Sequence, residues 1–244
     1  MKICVNGIEI HYEVYGTGPP IILLHGNGES MEIFDRLAED LCSGHTVFLI
    51  DTRGHGESQG MDSFCYADIA EDVAAFITSL NICRPILYGF SDGGIAGLML
   101  ASKYPDMLAG LIVSGANLTP KDLKLGFRIY LRLMYRIKRD PLLKLMLDEP
   151  NITESDLRRI SVPTLVTAGE KDIVRVSHAE YIADTVQNGR LTVAKDEDHS
   201  SYIVNSEKLY PMISGFLAEI IGWPPETPTE ENIGVSEGRR GVRP

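Results

Sequence analysis

Gly89-Phe90-Ser91-Asp92-Gly93-Gly94 separates an apolar run, Pro85-Ile86-Leu87-Tyr88, from a small-residue run, Ile95-Ala96-Gly97-Leu98-Met99-Leu100. The pattern predicts a buried strand, a sharp turn and a helix, with Ser91 at the apex. A serine hydroxyl is a weak nucleophile until a base sits beside it and donors await the developing oxyanion. The flanking glycines let strand and helix approach each other without side-chain clashes. The helix that follows directs its free N–H groups toward negative charge at the turn. Gly and Ser are common in turns, so the motif gains meaning from the strand before it and the helix after it.

Four further segments repeat the design of a short apolar strand ending in polar residues. Ile21–Leu24 runs into His25-Gly26-Asn27-Gly28, and Val47–Ile50 runs into Asp51-Thr52-Arg53-Gly54-His55-Gly56-Glu57-Ser58. Pro163–Thr167 leads to Ala168-Gly169-Glu170-Lys171-Asp172, and Leu191–Ala194 leads to Asp196-Glu197-Asp198-His199-Ser200. Catalytic groups in open parallel sheets collect at such carboxyl ends. Taken in this order, the H-G-x-G loop, the D-x-R-G-x-G-x-S loop, the G-x-S-x-G turn and the late G-x-x-D and D-H pairs resemble the α/β-hydrolase family. The resemblance spans roughly residues 1–220. It implies an α/β fold with a mostly parallel central sheet, helices on both faces and a helical cap.

The remaining pattern fits that expectation. Asn6-Gly7 predicts a hairpin turn between strands over 2–6 and 8–15. Helices are expected near 30–42, 65–81, 91–104, 174–187 and 203–221, and Leu111–Gly115 reads as another core strand. The core would comprise 1–117 and 159–222. Residues 118–158 break the strand–helix alternation and are helical in character, so they are expected to form a short cap. From Lys121 to Lys144 the chain holds eight basic residues against Asp122 and Asp140, although the whole chain carries −11. Arg128, Arg132 and Arg136 share one helix face, and Leu125, Ile129, Leu133 and Ile137 form a second stripe. The plain reading is a cap with a solvated basic face. Attraction of an anionic substrate or a membrane surface is the functional one. The Pro, Glu, Thr and Gly-rich run over 223–244 lacks apolar periodicity and is expected to be a disordered tail.

Composition narrows the function classes. A chain of 244 residues with 44% apolar and 23% charged residues is ordinary for a globular protein, and its net −11 argues against a nucleic-acid surface. The first residues turn polar at once, unlike a signal peptide, and no stretch is long enough to span a bilayer. The four cysteines, Cys4, Cys42, Cys65 and Cys83, have no metal-binding or disulfide-like spacing. These features predict a cytoplasmic protein; its oligomeric state is not legible here.

Ser91 is the expected nucleophile. The order of the resembling family, nucleophile then acid then base, points to a late histidine. Of the six histidines, His199 follows a late strand. His11, His45 and His178 fall in a hairpin, a turn and a helix, while His25 and His55 lie in loops that shape the site. Asp172 is the expected acid, with its N-cap position as the alternative role. Glu170 is a rival, and Asp196 and Asp198 share the loop of His199 and are poorly placed to reach its Nδ1. The backbone N–H groups of Asn27 and Asp92 are the expected oxyanion donors. Asp51 and Arg53 are expected to knit the neighbouring loop. The G-x-S-D-G-G sequence also resembles the valacyclovir-hydrolase-like branch, which implies that Asp92 helps bind a cationic amino group.

The expected activity is hydrolysis of small or medium carboxylic esters, a small-molecule substrate class, through an acyl-enzyme and without metal or cofactor. C–C, amide or lactone cleavage and perhydrolysis share the fold. A catalytically idle binding protein is the alternative of a different class. Dehalogenation and epoxide opening are disfavoured, because those branches place an aspartate where Ser91 stands.

Overall fold

The computed structural model describes residues 1–221; the tail expected over 223–244 lies outside the described residues. Eight strands form one sheet: β1 (Lys2–Val5), β2 (Ile8–Tyr15), β3 (Pro20–Leu24), β4 (Thr46–Ile50), β5 (Ile86–Phe90), β6 (Gly110–Ser114), β7 (Thr164–Gly169) and β8 (Gly189–Ala194). Their spatial order is β1-β2-β4-β3-β5-β6-β7-β8. The β1–β2 and β2–β4 pairs are antiparallel; every later pair is parallel. The Asn6-Gly7 turn has φ of 48° and 79°, the left-handed geometry that a tight hairpin needs.

The helices are α1 (Asp35–Leu41), α2 (Tyr66–Ser79), α3 (Asp92–Lys103), α4 (Leu125–Lys138), α5 (Pro141–Asp148), α6 (Glu154–Arg158), α7 (Val176–Thr185) and α8 (Leu209–Ile221). They cover both faces of the sheet. Ile69, Val73, Leu98 and Ile182, from α2, α3 and α7, join one apolar core. Leu37, Leu41, Ile213 and Leu217, from α1 and α8, join the other. Strands buried on both sides explain the near-continuous apolar runs of β3 to β6.

Two boundaries depart from expectation. The helix expected from 203 begins at Leu209. Asn205 takes φ of 46° and its amide donates to the Ile33 carbonyl, so the chain turns there. Within the expected cap, α6 sits with the body: Leu157 and Ile152 are buried in the same core as α3 and α7. Helix α4 stands apart, in a small apolar cluster with Leu123 and Val174, and α5 bridges the two, with Leu143 and Met146 against that cluster and Leu145 buried in the main core. Among the described residues, no helix is long and apolar enough to cross a membrane.

Candidate active site

The β5–α3 turn carries Ser91 in a conformation that few side chains adopt. Its φ is 50° and its ψ is −111°. Such backbone persists only where neighbours over-determine it. Here Ser91 N–H donates to the Ser114 carbonyl, and the Ile95 amide donates back to the Ser91 carbonyl. Close packing requires the adjacent glycines: a Cβ on Gly89 would lie 2.3 Å from the Gly93 carbonyl oxygen, and one on Gly93 would lie 2.3 Å from that of Leu24.

Beneath this turn, buried hydroxyls link the strand ends. Tyr88 donates to Ser114 Oγ at 2.9 Å, Ser114 Oγ lies 2.5 Å from Thr167 Oγ1, and Thr167 meets Tyr202 at 3.2 Å. Each of these four hydroxyls thereby has a partner, which low-dielectric burial demands.

The loop after β8 brings His199 over Ser91. His199 Nε2 is 3.1 Å from Ser91 Oγ, and His199 Nδ1 is 2.6 Å from Asp172 Oδ1. A proton on Nδ1 satisfies the carboxylate and leaves Nε2 as an acceptor for the hydroxyl. Asp172, after β7, is fully buried; its Oδ1 also accepts the Val174 amide at 3.0 Å. That amide bond closes a turn within the loop; the N-cap of α7 is Arg175, so the alternative role considered for Asp172 is not the one it takes. Asp172 Oδ2 has no hydrogen-bond partner among the described residues. The rivals point elsewhere. Glu170 accepts the Asp196 amide, and Asp198 accepts the amides of Ser200 and Ser201 in its own loop.

Gly115, directly after β6, was not singled out from sequence. Its φ is +64°, and a Cβ there would stand 2.6 Å from His199 Cε1 and 2.9 Å from Nδ1. The glycine therefore leaves the room that the imidazole occupies.

The loop after β3 brings Asn27 beside Asp92. Among the described residues, the backbone amides of Asn27 and Asp92 donate to no protein acceptor. Two histidines hold this loop. His25 Nδ1 donates to the Gly26 carbonyl at 2.8 Å, which leaves Nε2 to accept the Thr52 amide at 3.0 Å. Burial lowers the His25 pKa to about 4, so it stays uncharged at neutral pH. His55 Nε2 accepts the Gly28 amide at 3.0 Å. Asp51 accepts the amides of Met31 and Glu57, and Arg53 pairs with Asp72 at 2.6 and 2.8 Å. The D-x-R-G-x-G-x-S loop is thus tied into its neighbourhood as expected.

The Asp92 carboxylate is held by donors from two other elements. It is 5% exposed. Its Oδ1 accepts the Tyr66 hydroxyl at 2.7 Å and its Oδ2 accepts Asn27 Nδ2 at 2.8 Å. The Asn27 amide group also reaches the Leu142 carbonyl at 3.3 Å. Asp92 therefore fastens α2, the turn and the Asn27 loop together, and its oxygens face protein donors. Burial pushes its pKa up, while the two hydrogen bonds pull it down.

Sequence reasoning also missed Glu29. Its Oε2 accepts the Gly26 amide at 3.0 Å and is the nearest atom to the space beside Gly26, where Ser91 Cβ also lies. Burial raises its pKa. A glutamate directly after the glycines of an H-G-x-G loop was the available signal.

The profile of the alpha/beta hydrolase fold family matches residues 19–147. The human serine hydrolase BPHL is 28% identical over 250 residues, covering 88% of this chain and 85% of its own. A thermophilic esterase from Thermogutta terrifontis superposes with a TM-score of 0.74 at 25% identity, over 90% of this chain and 98% of the esterase. Est816, an N-acyl homoserine lactone degrading enzyme, gives 0.72 at 23% identity, over 92% of this chain and all of its own, a likeness of fold. Sheet order, strand-end loops and profile agree: the chain belongs to the α/β-hydrolase fold family.

Proposed function

We propose that the protein is a serine hydrolase that cleaves small or medium carboxylic esters through an acyl-enzyme. The observation that carries this reading is the continuous hydrogen-bonded line from Ser91 Oγ through His199 to buried Asp172, at 3.1 and 2.6 Å. His199 Nε2 takes the Ser91 proton as Oγ attacks the carbonyl carbon. Asp172 holds the imidazole in the tautomer that keeps Nε2 free and stabilises the imidazolium that forms. The amides of Asn27 and Asp92 donate to the oxyanion. His199 then protonates the departing alcohol, activates a water against the acyl-enzyme, and returns the proton to Ser91. The names of the human relative and the Thermogutta enzyme, serine hydrolase and esterase, support the same class.

In this reading Asp92 acts as a positioning residue, through its bond to Asn27, and direct recognition of a cationic substrate group is the competing role. A fluorophosphonate probe should label the wild type at Ser91, and Ser91→Ala should lose labelling together with about 10⁶ of its kcat on an activated short ester. Labelling at another serine, or retained turnover in Ser91→Ala, would overturn the assignment. Matched neutral and cationic esters separate the roles of Asp92. Equal losses on both in Asp92→Asn support positioning, and a loss confined to the cationic ester supports recognition.

A further inference from the structure

Helix α4 has two apolar sides. Its inner side carries Leu131, its one buried residue, with Phe127 packed in the cluster of Leu123 and Val174. Its outer side carries Leu125, Ile129, Leu133 and Ile137, spaced by four residues, with Tyr130 beside them. These five are more than half of the nine large apolar side chains exposed among the described residues, and Leu125 and Ile137 are 61% and 68% exposed. At ~100° per residue the outer stripe lies opposite Leu131. The inner side therefore accounts for the helix docking to the body and leaves the outer stripe unexplained.

Charge on α4 is of one sign. Arg128, Arg132 and Arg136 run along one border of the stripe, Lys124 and Arg139 flank the helix ends, and Leu125–Lys138 contains no acidic residue. The chain as a whole holds 34 acidic residues against 23 Lys and Arg. A 14-residue helix with four basic residues and no acidic one, three of the four along one border of the apolar stripe, is not what a merely solvated face requires. Exposed apolar residues bordered by arginines suit a plane that is greasy inside and negative at its surface. Apolar side chains enter the acyl region while arginine stems extend along it and place guanidinium groups among the phosphates.

We propose that the outer face of α4 binds an anionic lipid surface. Shape favours a bilayer over a peptide, because the stripe lies on a projecting helix and not in a groove. Charge disfavours a second copy of the chain through the same face, since an isologous contact would oppose two rows of arginines. The acidic remainder of the molecule orients it with α4 toward the membrane. Beyond a Debye length of ~8 Å, repulsion of that remainder is largely screened at physiological salt. The seat would also be close to the candidate active site. The Lys124 amide donates to the Ile173 carbonyl, one residue from Asp172, and the Leu142 carbonyl of α5 accepts Asn27 Nδ2.

Flotation of the full chain with vesicles tests this. Vesicles of phosphatidylcholine containing phosphatidylglycerol should carry the protein, and pure phosphatidylcholine should carry far less. Replacing Arg128, Arg132 and Arg136 together with Gln should weaken anionic binding about tenfold or more at low ionic strength and much less at high salt. The double substitution Leu133→Glu and Ile137→Glu should weaken it about tenfold or more at every salt concentration. Both variants should keep the wild-type thermal midpoint, because Arg132, Leu133, Arg136 and Ile137 are exposed and Arg128 is only half-buried. Absence of binding to anionic vesicles overturns the proposal, as does equal binding to both vesicle types. A wild-type dimer in solution that Leu133→Glu converts to monomer would assign the face to self-association and overturn it as well.

Discussion

Helices α3 and α4 are nearly equal in length and opposite in surroundings. Ten of the 12 residues of α3 are buried, including Asp92 at its start, whereas one of the 14 residues of α4 is buried. On α3 every side has a partner: strands β3, β5 and β6, and helix α2. Its glycines and alanines suit that crowding, and the turn before it can hold Ser91 in a rare conformation because nothing around it can yield. On α4 large apolar and cationic residues meet solvent. Burial on all sides makes one geometry compulsory; burial on one side fixes where a helix sits and leaves the other side to serve something outside the chain.

That contrast can be broken first where chemistry depends on fixed geometry. Asp172→Asn should preserve the fold, leave His199 in the wrong tautomer and cost about 10⁴ in kcat. A loss under about tenfold would reduce Asp172 to its turn bond with the Val174 amide and move the acid's role elsewhere.

A smaller blow tests how tightly the surroundings hold the imidazole. Gly115→Ala places a methyl 2.6 Å from His199 Cε1 at a φ of +64°. A displaced base should cost about 10² in kcat while KM changes little. An unaltered rate would show that the His199 loop can shift without penalty, and the claim of a compulsory geometry around α3 would fail.

Stability sharpens the comparison last. Leu98→Ala, at a fully buried position of α3, should destabilise the protein by about 2–5 kcal/mol in denaturant unfolding. Ile129→Ser, at an exposed position of α4, should stay within about 0.5 kcal/mol of the wild type. A large loss at Ile129 would mean that the outer stripe supports the fold, and the membrane seat would lose its rationale.

Much of the fold was legible in sequence, for identifiable reasons. Strands β3, β4, β5, β7 and β8 each end in a polar cluster, and the period of apolar residues in α2 marks its buried face. Ser91, His199 and Asp172 could be named because each follows a strand and occurs in the order of a resembling family. Their distances could not, since they come from loops 27 and 108 residues apart in the chain. The same holds for the Asp92 bonds to Tyr66 and Asn27, which cross 26 and 65 residues. A local reading sees an acid in the first turn of a helix and cannot see which donors reach it. Gly115 was hidden for a related reason, because the requirement for glycine comes from an imidazole that arrives 84 residues later. The stripe on α4 was visible as a period, but period alone does not say which of two apolar sides faces the body. The premature start expected for α8 reflects turn chemistry at Asn205, which apolar spacing does not register.

The setting of Asp92 has a consequence for laboratory evolution. A carboxyl whose pKa is raised by burial binds its proton more tightly folded than unfolded. Its contribution to folding is therefore present below the ordinary carboxyl pKa and is lost as pH rises through the folded value. Wherever the group is ionised its burial opposes folding, while its bonds to Tyr66 and Asn27 keep the site assembled. At a pH where Asp92 is ionised, selection for heat resistance alone should drift toward asparagine at position 92 and yield hardy, sluggish variants, whereas selection for turnover should restore the aspartate.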